Sequence, residues 1–176
     1  VIIEKNNWWV KYNGIDYSID ETDFSFKIDK NKIEFDVVFN IIHGTPGEDG
    51  LIQKYFDGIN MPYTGPNPNN AKITFNKNEC IDFAKNLGLS CAKSIFISNN
   101  QIFDFEVFNK MKFPLFVKTN NSGSSFGVTK VNDKDELKKN IENLLGSGNG
   151  ILIEENLNGT EAVSYTHLRA HETASD

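Results

Sequence analysis

"PLFVKTNNSGSSFGVTKV", residues 114–131, decides the fold of the second half of the chain. It opens with an apolar run, Leu115, Phe116 and Val117, that ends in Lys118 and reads as a buried strand. Behind it come Ser122, Gly123, Ser124, Ser125, Phe126 and Gly127, a loop whose small side chains leave backbone N–H groups open to an anion. Strand, cation and small-residue loop in that order suit a phosphate. The same residues also fit an ordinary hairpin loop joining Lys118 to Val128. The loop lacks the Gly-Lys-Ser/Thr ending of a P-loop and the glycine fingerprint of dinucleotide-binding folds, so its surroundings have to discriminate.

Downstream, "VTKV" reads as a strand and "GILIEEN" as another. Between them "DKDELKKNIENLL" reads as a helix opened by Asp133 with Glu136 three residues on, a capping-box pattern. Upstream, "SIFIS" predicts a strand and "DFEVFNKM" a helix. "NAKITFNKNECIDFAKNLGLS" predicts one amphipathic helix, with Ile73, Cys80, Ile81, Phe83, Ala84 and Leu87 as its apolar positions and Gly88 as its stop. Nearer the N-terminus, Asn13-Gly14 between two strand-like runs signals a hairpin. The continuous run "FDVVFNII", residues 35–42, predicts a parallel strand covered on both faces. "HGTPGEDGLIQKYFDGINMPYTG" then supplies a turn feeding a helix that begins near Glu48 or Asp49 and ends near Gly58, with the acids favouring the helix dipole. The predicted class is α/β in two lobes, with a boundary near residues 88–93.

A chain of 176 residues, 39% hydrophobic with 14 Phe, has material for a real core. Its formal charge of −6 argues against a general nucleic-acid or anionic-membrane surface. Cys80 and Cys91 have no metal-ligand spacing, which favours a reducing, cytoplasmic compartment, and no apolar run is long enough to span a bilayer. Val1-Ile2-Ile3 reads as the inside of a strand with no initiator Met ahead of it, so an upstream segment is expected. "SYTHLRAHETASD", residues 164–176, contains none of the Asn, Lys, Ile and Phe that fill the rest, yet holds the only Arg and two of the three His. That break reads as foreign sequence from a vector or sequencing adapter; a native disordered tail and a two-histidine metal site are the weaker readings.

Two lysines, Lys77 on the helix before the second lobe and Lys118 at its strand end, suit a phosphate chain if they converge. Glu154 and Glu155 at a strand end, a turn from Asn156 to Gly159, and Glu161 suit an adenine edge and ribose hydroxyls. Taken singly, the lysines read as solvated surface groups and the acids as an exposed strand edge.

In order, "HGTPGEDGLIQ" with its "PYTG", "TFNK", "FPLFVKTNNSGSSFGVTKV" and "ILIEENLNGTE" resemble the D-alanine–D-alanine ligases, within the ATP-grasp enzymes, over roughly residues 33–161. The resemblance implies a partial Rossmann-like lobe with a linking helix over residues 1–88, then a small ATP-grasp ATP-binding lobe over residues 89–163. It implies ATP and Mg²⁺ as cofactors and D-alanine as substrate: one D-alanine carboxylate is phosphorylated and the amine of a second attacks the acyl phosphate, giving the dipeptide for peptidoglycan. By position, His43 would hold the first D-alanine with Glu48 supporting its loop, and Lys77 and Lys118 would meet the phosphates. Ser122, Gly123, Ser124, Ser125 and Gly127 would close over them, with Ser124 coupling that closure to the substrate site. Glu154, Glu155 and Leu157 would face adenine, and Glu161 the ribose.

The family also has an opening strand–turn–helix and a C-terminal catalytic domain with an arginine and the metal ligands. Both are expected to be missing here, leaving no metal ligand in the chain and a fragment without turnover. A homodimer through the first lobe is implied for the full-length form. Alternatives are a D-alanine–D-lactate ligase, another ATP-grasp carboxylate–amine ligase, and a non-catalytic nucleotide-binding module.

Overall fold

The computed structural model describes residues 1–4, 7–99, 103–122, 127–146 and 148–160. Strands β1 (Ile2–Glu4), β2 (Asn7–Tyr12) and β3 (Ile15–Ser18) form an antiparallel sheet in that order. Asn13 and Gly14 make the β2–β3 turn at φ of 49° and 81°. Two successive positive φ values match the strand twist in a two-residue turn, and Asn and Gly tolerate them best. A second antiparallel pair, β4 (Phe26–Ile28) and β5 (Asn31–Ile33), follows.

The strand expected at residues 35–42 does not form: among the described residues this segment joins a neighbour by a single parallel bridge, Val38 to Tyr63. Val37, Phe39 and Ile41 are 60%, 76% and 72% exposed. An apolar run records a demand for burial, but a parallel strand also needs partners along its length, and those the sequence run cannot specify.

Helix α1 (Leu51–Gly58) starts later than expected, because Gly50 takes the N-cap at φ 89° and leaves Glu48 and Asp49 ahead of the helix. It lays Ile52, Gln53 and Phe56 inward, and Phe56 meets Phe24 edge-on at 5.0 Å in a core completed by Val10, Ile19 and Phe26. The single helix expected next is two, α2 (Pro68–Phe75) and α3 (Lys77–Asn86), broken at Asn76. The Asn76 side chain accepts from the Glu79 N–H at 2.9 Å and donates to the Glu79 carboxylate at 3.2 Å, so the break is also the cap of α3. No residue of α3 is fully buried, and Phe83 and Leu87 of the predicted stripe are 52% and 64% exposed. Gly88, at φ 79°, follows the helix end as expected.

The second lobe runs β6 (Ser94–Ile97), a 3-10 turn at Phe105–Lys110 where an α-helix was expected, β7 (Leu115–Thr119), β8 (Val128–Val131), α4 (Lys134–Leu144) and β9 (Ile151–Glu155). Its sheet is antiparallel in the order β6-β9-β7-β8. Alternate residues of β7 and β9, Leu115, Val117, Ile151 and Ile153, meet Leu137 and Ile141 of α4 in a core that shares no residue with that of the first lobe. The opposite face of β7 presents Phe116 and Lys118. Asp133 caps α4 through the N–H groups of Asp135 and Glu136, while Glu136 reaches back to Asn132 rather than to Asp133. No helix among the described residues is long and apolar enough to cross a membrane.

Candidate active site

Strand register builds the first part of the site. Phe116 lies opposite Glu154 and Lys118 opposite Leu152, so Lys118 and Glu154 are diagonal neighbours on one face. The Lys118 ammonium is bonded to the Glu154 carboxylate, with side chains 28% and 13% exposed, and it sits 5.9 Å from the Phe116 ring centroid. This pair, Glu155 and Leu157 line a cleft of about 650 Å³. The Glu155 carboxylate accepts the Lys112 N–H at 2.9 Å, so its charge already secures the end of the 3-10 segment. Leu157 is 72% exposed at the cleft mouth.

Lys77 is the first residue of α3, and that helix start docks on the chain leaving β7. Its ammonium donates to the Ser122 carbonyl at 2.5 Å, the Ser122 hydroxyl at 3.1 Å and the Asn120 carbonyl at 3.3 Å. Burial holds its pKa below the ordinary lysine value, the Lys118 charge adds to that, and Glu154 opposes it. The Lys118 charge is thus felt at Lys77.

A third part is the turn before α1. The Glu48 carboxylate accepts the Gly44 N–H at 2.6 Å and lies 3.8 Å from His43 Nδ1, leaving the imidazole 92% exposed. The Gly47 carbonyl accepts from Gln53 Nε2 at 2.6 Å and from Asn40 Nδ2 at 3.0 Å. A Cβ at Gly47 would lie 2.2 Å from the Ile42 carbonyl oxygen, a backbone atom that cannot swing aside. Gly47→Ala is accordingly expected to cost about 1–3 kcal/mol of stability and to displace the His43 turn, seen as a lower unfolding midpoint and shifted His43 ring resonances. An unchanged midpoint and spectrum would refute the close approach.

His43, Glu48, Lys77 and Ser122 share one cavity of about 630 Å³. Ser122 and Gly127 meet Gly44 and Thr45 across another of about 620 Å³. The base of the loop is closed by the Thr119 N–H on the Gly127 carbonyl at 3.2 Å, and a Cβ at Gly127 would lie 2.7 Å from Thr119 Oγ1. The site residues expected from sequence thus line three cavities: Ser122 is shared by the two beside the loop, while Lys118, Glu154, Glu155 and Leu157 line a separate cleft. Gly123, Ser124, Ser125 and Glu161 lie outside the described residues, as does the tail at 164–176. Asn40, Gln53 and Asn120 were not foreseen as site residues; an amide gives no sequence signal of a partner that is distant along the chain. Among the described residues, no three His, Cys, Asp or Glu side chains converge as a metal site.

Comparison with known proteins gives the same order of parts. Residues 3–66 match the family described as D-ala D-ala ligase N-terminus, and residues 83–166 match D-ala D-ala ligase C-terminus. The D-alanine–D-alanine ligase of Azobacteroides pseudotrichonymphae is 42% identical over 164 residues, which is 92% of this chain and 51% of that protein. The chain spans about half the length of the curated relatives it matches. Among solved structures, the D-alanine–D-alanine ligase from Bacillus anthracis complexed with ATP aligns at a TM-score of 0.65 with 30% identity, over 71% of this chain and 42% of that one. The VanG D-Ala:D-Ser ligase from Enterococcus faecalis aligns at 0.71 with 28% identity, over 84% and 45%. With the two halves of one family matched in sequence order along it, the chain belongs to the D-alanine–D-alanine ligase family.

Proposed function

We propose that this chain holds the nucleotide and the first substrate of an ATP-dependent ligase that joins two D-alanines for peptidoglycan. The observation that carries this reading is Lys77: its ammonium is seated on Ser122 at the base of the small-residue loop, feels Lys118, and shares a cavity with His43. In the proposed reaction the γ-phosphoryl group of ATP passes to a carboxylate oxygen of D-alanine, and the amine of the second D-alanine attacks that carbonyl and expels phosphate. A carboxylate resists attack until it is phosphorylated, and the charge that moves is best met by groups already fixed in place.

Lys77 and Lys118 take the phosphates; Ser122 and Gly127, with Gly123, Ser124 and Ser125, close over them and exclude water from the acyl phosphate. Glu154, Glu155 and Leu157 line the adenine cleft, Glu161 meets the ribose, and His43 with Glu48 holds the first D-alanine. Mg²⁺ supplies charge neutralisation to phosphoryl transfer of this kind. The described residues do not form a site for it, and none is assigned to it. Residues 1–88 and 89–163 as separate folding units, a foreign tail at 164–176, a cytoplasmic location and a homodimer through the first lobe belong to the same proposal.

Ligand-dependent thermal unfolding tests it. ATP at a hundred times its Kd is expected to stabilise the chain by about 2.7 kcal/mol, with a further upward shift on adding D-alanine. No shift of the midpoint at millimolar ATP would overturn the reading. The likeness to a D-Ala:D-Ser ligase favours a second reading, in which the donor is unchanged and the acceptor differs. A larger shift with D-serine or D-lactate than with a second D-alanine, at saturating ATP and D-alanine, would select it.

A further inference from the structure

We propose that Asn120 is a positioning residue: it fastens the start of α3 to the end of β7 and thereby fixes the Lys77 ammonium over the base of the small-residue loop. The proposal rests on the reading of Lys77 as a phosphate-binding cation. Asn120 is 3% exposed, and its polar groups are all engaged. Its Oδ1 accepts the Asn78 N–H at 2.9 Å, one of the first-turn donors that a helix cannot satisfy by itself. Its carbonyl accepts both the backbone N–H and the ammonium of Lys77, each at 3.3 Å. In the other direction its N–H reaches the Gly150 carbonyl at 3.1 Å, anchoring it to the residue just before β9, and its Nδ2 donates to Asn121 Oδ1 at 2.9 Å.

Across 42 residues of sequence, the Asn120 side chain adds a side-chain bond to the backbone contacts, Lys77 N–H to the Asn120 carbonyl and the Asn76–Asn121 bridge, that hold helix start to strand end. The ammonium of Lys77 finds its acceptors on residues 120 and 122, so its place depends on where the helix start is pinned. Loss of the Asn120 side chain leaves the cap from Asn76 to Glu79 and the backbone bond from Lys77 in place, so α3 persists while its first turn loses its side-chain anchor at Asn78. An acceptor directed at Asn78 and a donor directed at Asn121 are both needed, and among side chains of this size only an amide carries both.

The test reads Lys77 directly, without nucleotide: acetic anhydride labelling across pH, quantified by mass spectrometry against exposed Lys139. In Asn120→Ala the limiting rate at Lys77 is expected to rise about fivefold, the factor that one lost hydrogen bond carries. The midpoint of its pH dependence should move up toward the ordinary lysine value, while Lys118 labelling stays as in the parent. Asn120→Asp keeps the acceptor for Asn78 and should stay nearer the parent profile. An unchanged Lys77 profile in folded Asn120→Ala overturns the proposal; should that variant not fold, Asn120→Ser is read the same way. ATP affinity is measured beside it. A shifted Lys77 profile in a chain whose parent binds no ATP removes the nucleotide reading and keeps the role of Asn120, and an unshifted profile in a chain that binds ATP does the reverse.

Discussion

Replacing Lys118 with alanine is expected to lower ATP affinity about a hundredfold. A hydrogen bond to a charged group contributes about 1.5–3 kcal/mol, and each tenfold in affinity corresponds to about 1.4 kcal/mol. Lys118 is well placed to deliver the upper part of that range, because it is held on the sheet by Glu154 and stands on the Phe116 ring before any ligand arrives. Little side-chain freedom remains to be lost on binding. The same truncation strands the Glu154 carboxylate, 13% exposed, without its cation, at a stability cost on the order of 1–2 kcal/mol for a pair that is only partly buried. Adding Glu154→Gln separates the two effects: the double variant should regain the lost stability and none of the affinity. Recovery of both together would mean that Lys118 acts on structure alone, and calorimetric titration beside thermal unfolding reads the two quantities.

Phe56→Ala is expected to destabilise the first lobe by about 3–5 kcal/mol, the range for deleting a buried aromatic ring. The ring is 1% exposed and packs on Phe24 and Tyr55 at 5.0 and 5.3 Å, at the point where α1 meets the strands of the first lobe. That loss is a large part of the stability of a domain of this size. Because the two cores share no residue, the loss should stay local. Both tryptophans, Trp8 and Trp9, belong to the first lobe, so their fluorescence follows it alone, while methyl resonances of Ile141 and Ile153 follow the second. The tryptophan transition should move to lower temperature with the methyl transition in place. If the two move together, the lobes form one cooperative unit and the proposed boundary after residue 88 fails.

What sequence made legible follows the range of the interactions involved. The Asn13-Gly14 turn and the Asp133 cap are settled by neighbours within a few residues, and both formed; the strands at "SIFIS", "PLFVKT", "VTKV" and "GILIEEN" also formed, their apolar runs legible in sequence although β6 and β7 find β9 far along the chain. The strand expected at residues 35–42 needed partners from elsewhere in the chain, and only the Val38 bridge to Tyr63 is present among the described residues. The split at Asn76 was readable in principle, since Asn76 with Glu79 three residues on has capping-box spacing, but without Pro or Gly the apolar period ran straight through it. In the site, residue types pointed to Lys77, Lys118 and Glu154, whereas the diagonal pairing of Lys118 with Glu154 depends on register between strands far apart in sequence. The amides of Asn40, Gln53 and Asn120 act through backbone groups that their own neighbourhoods do not reveal.

The strand order β6-β9-β7-β8 also sets when the second lobe can come into being on the ribosome. Its inner strand β9 is the last of the four to be translated, and β6 has no other partner in the sheet. Until residues 151–155 have left the exit tunnel, the nascent lobe holds the β7–β8 hairpin with α4 available to cover one face, but β6 has no sheet partner and the β7 edge stays open, while the first-lobe core, which closes with Tyr63, has already emerged. Synthesis thus releases the described core of the first lobe well before the sheet of the second can close, and the interval is the time taken to translate about ninety residues at the usual rate of several per second.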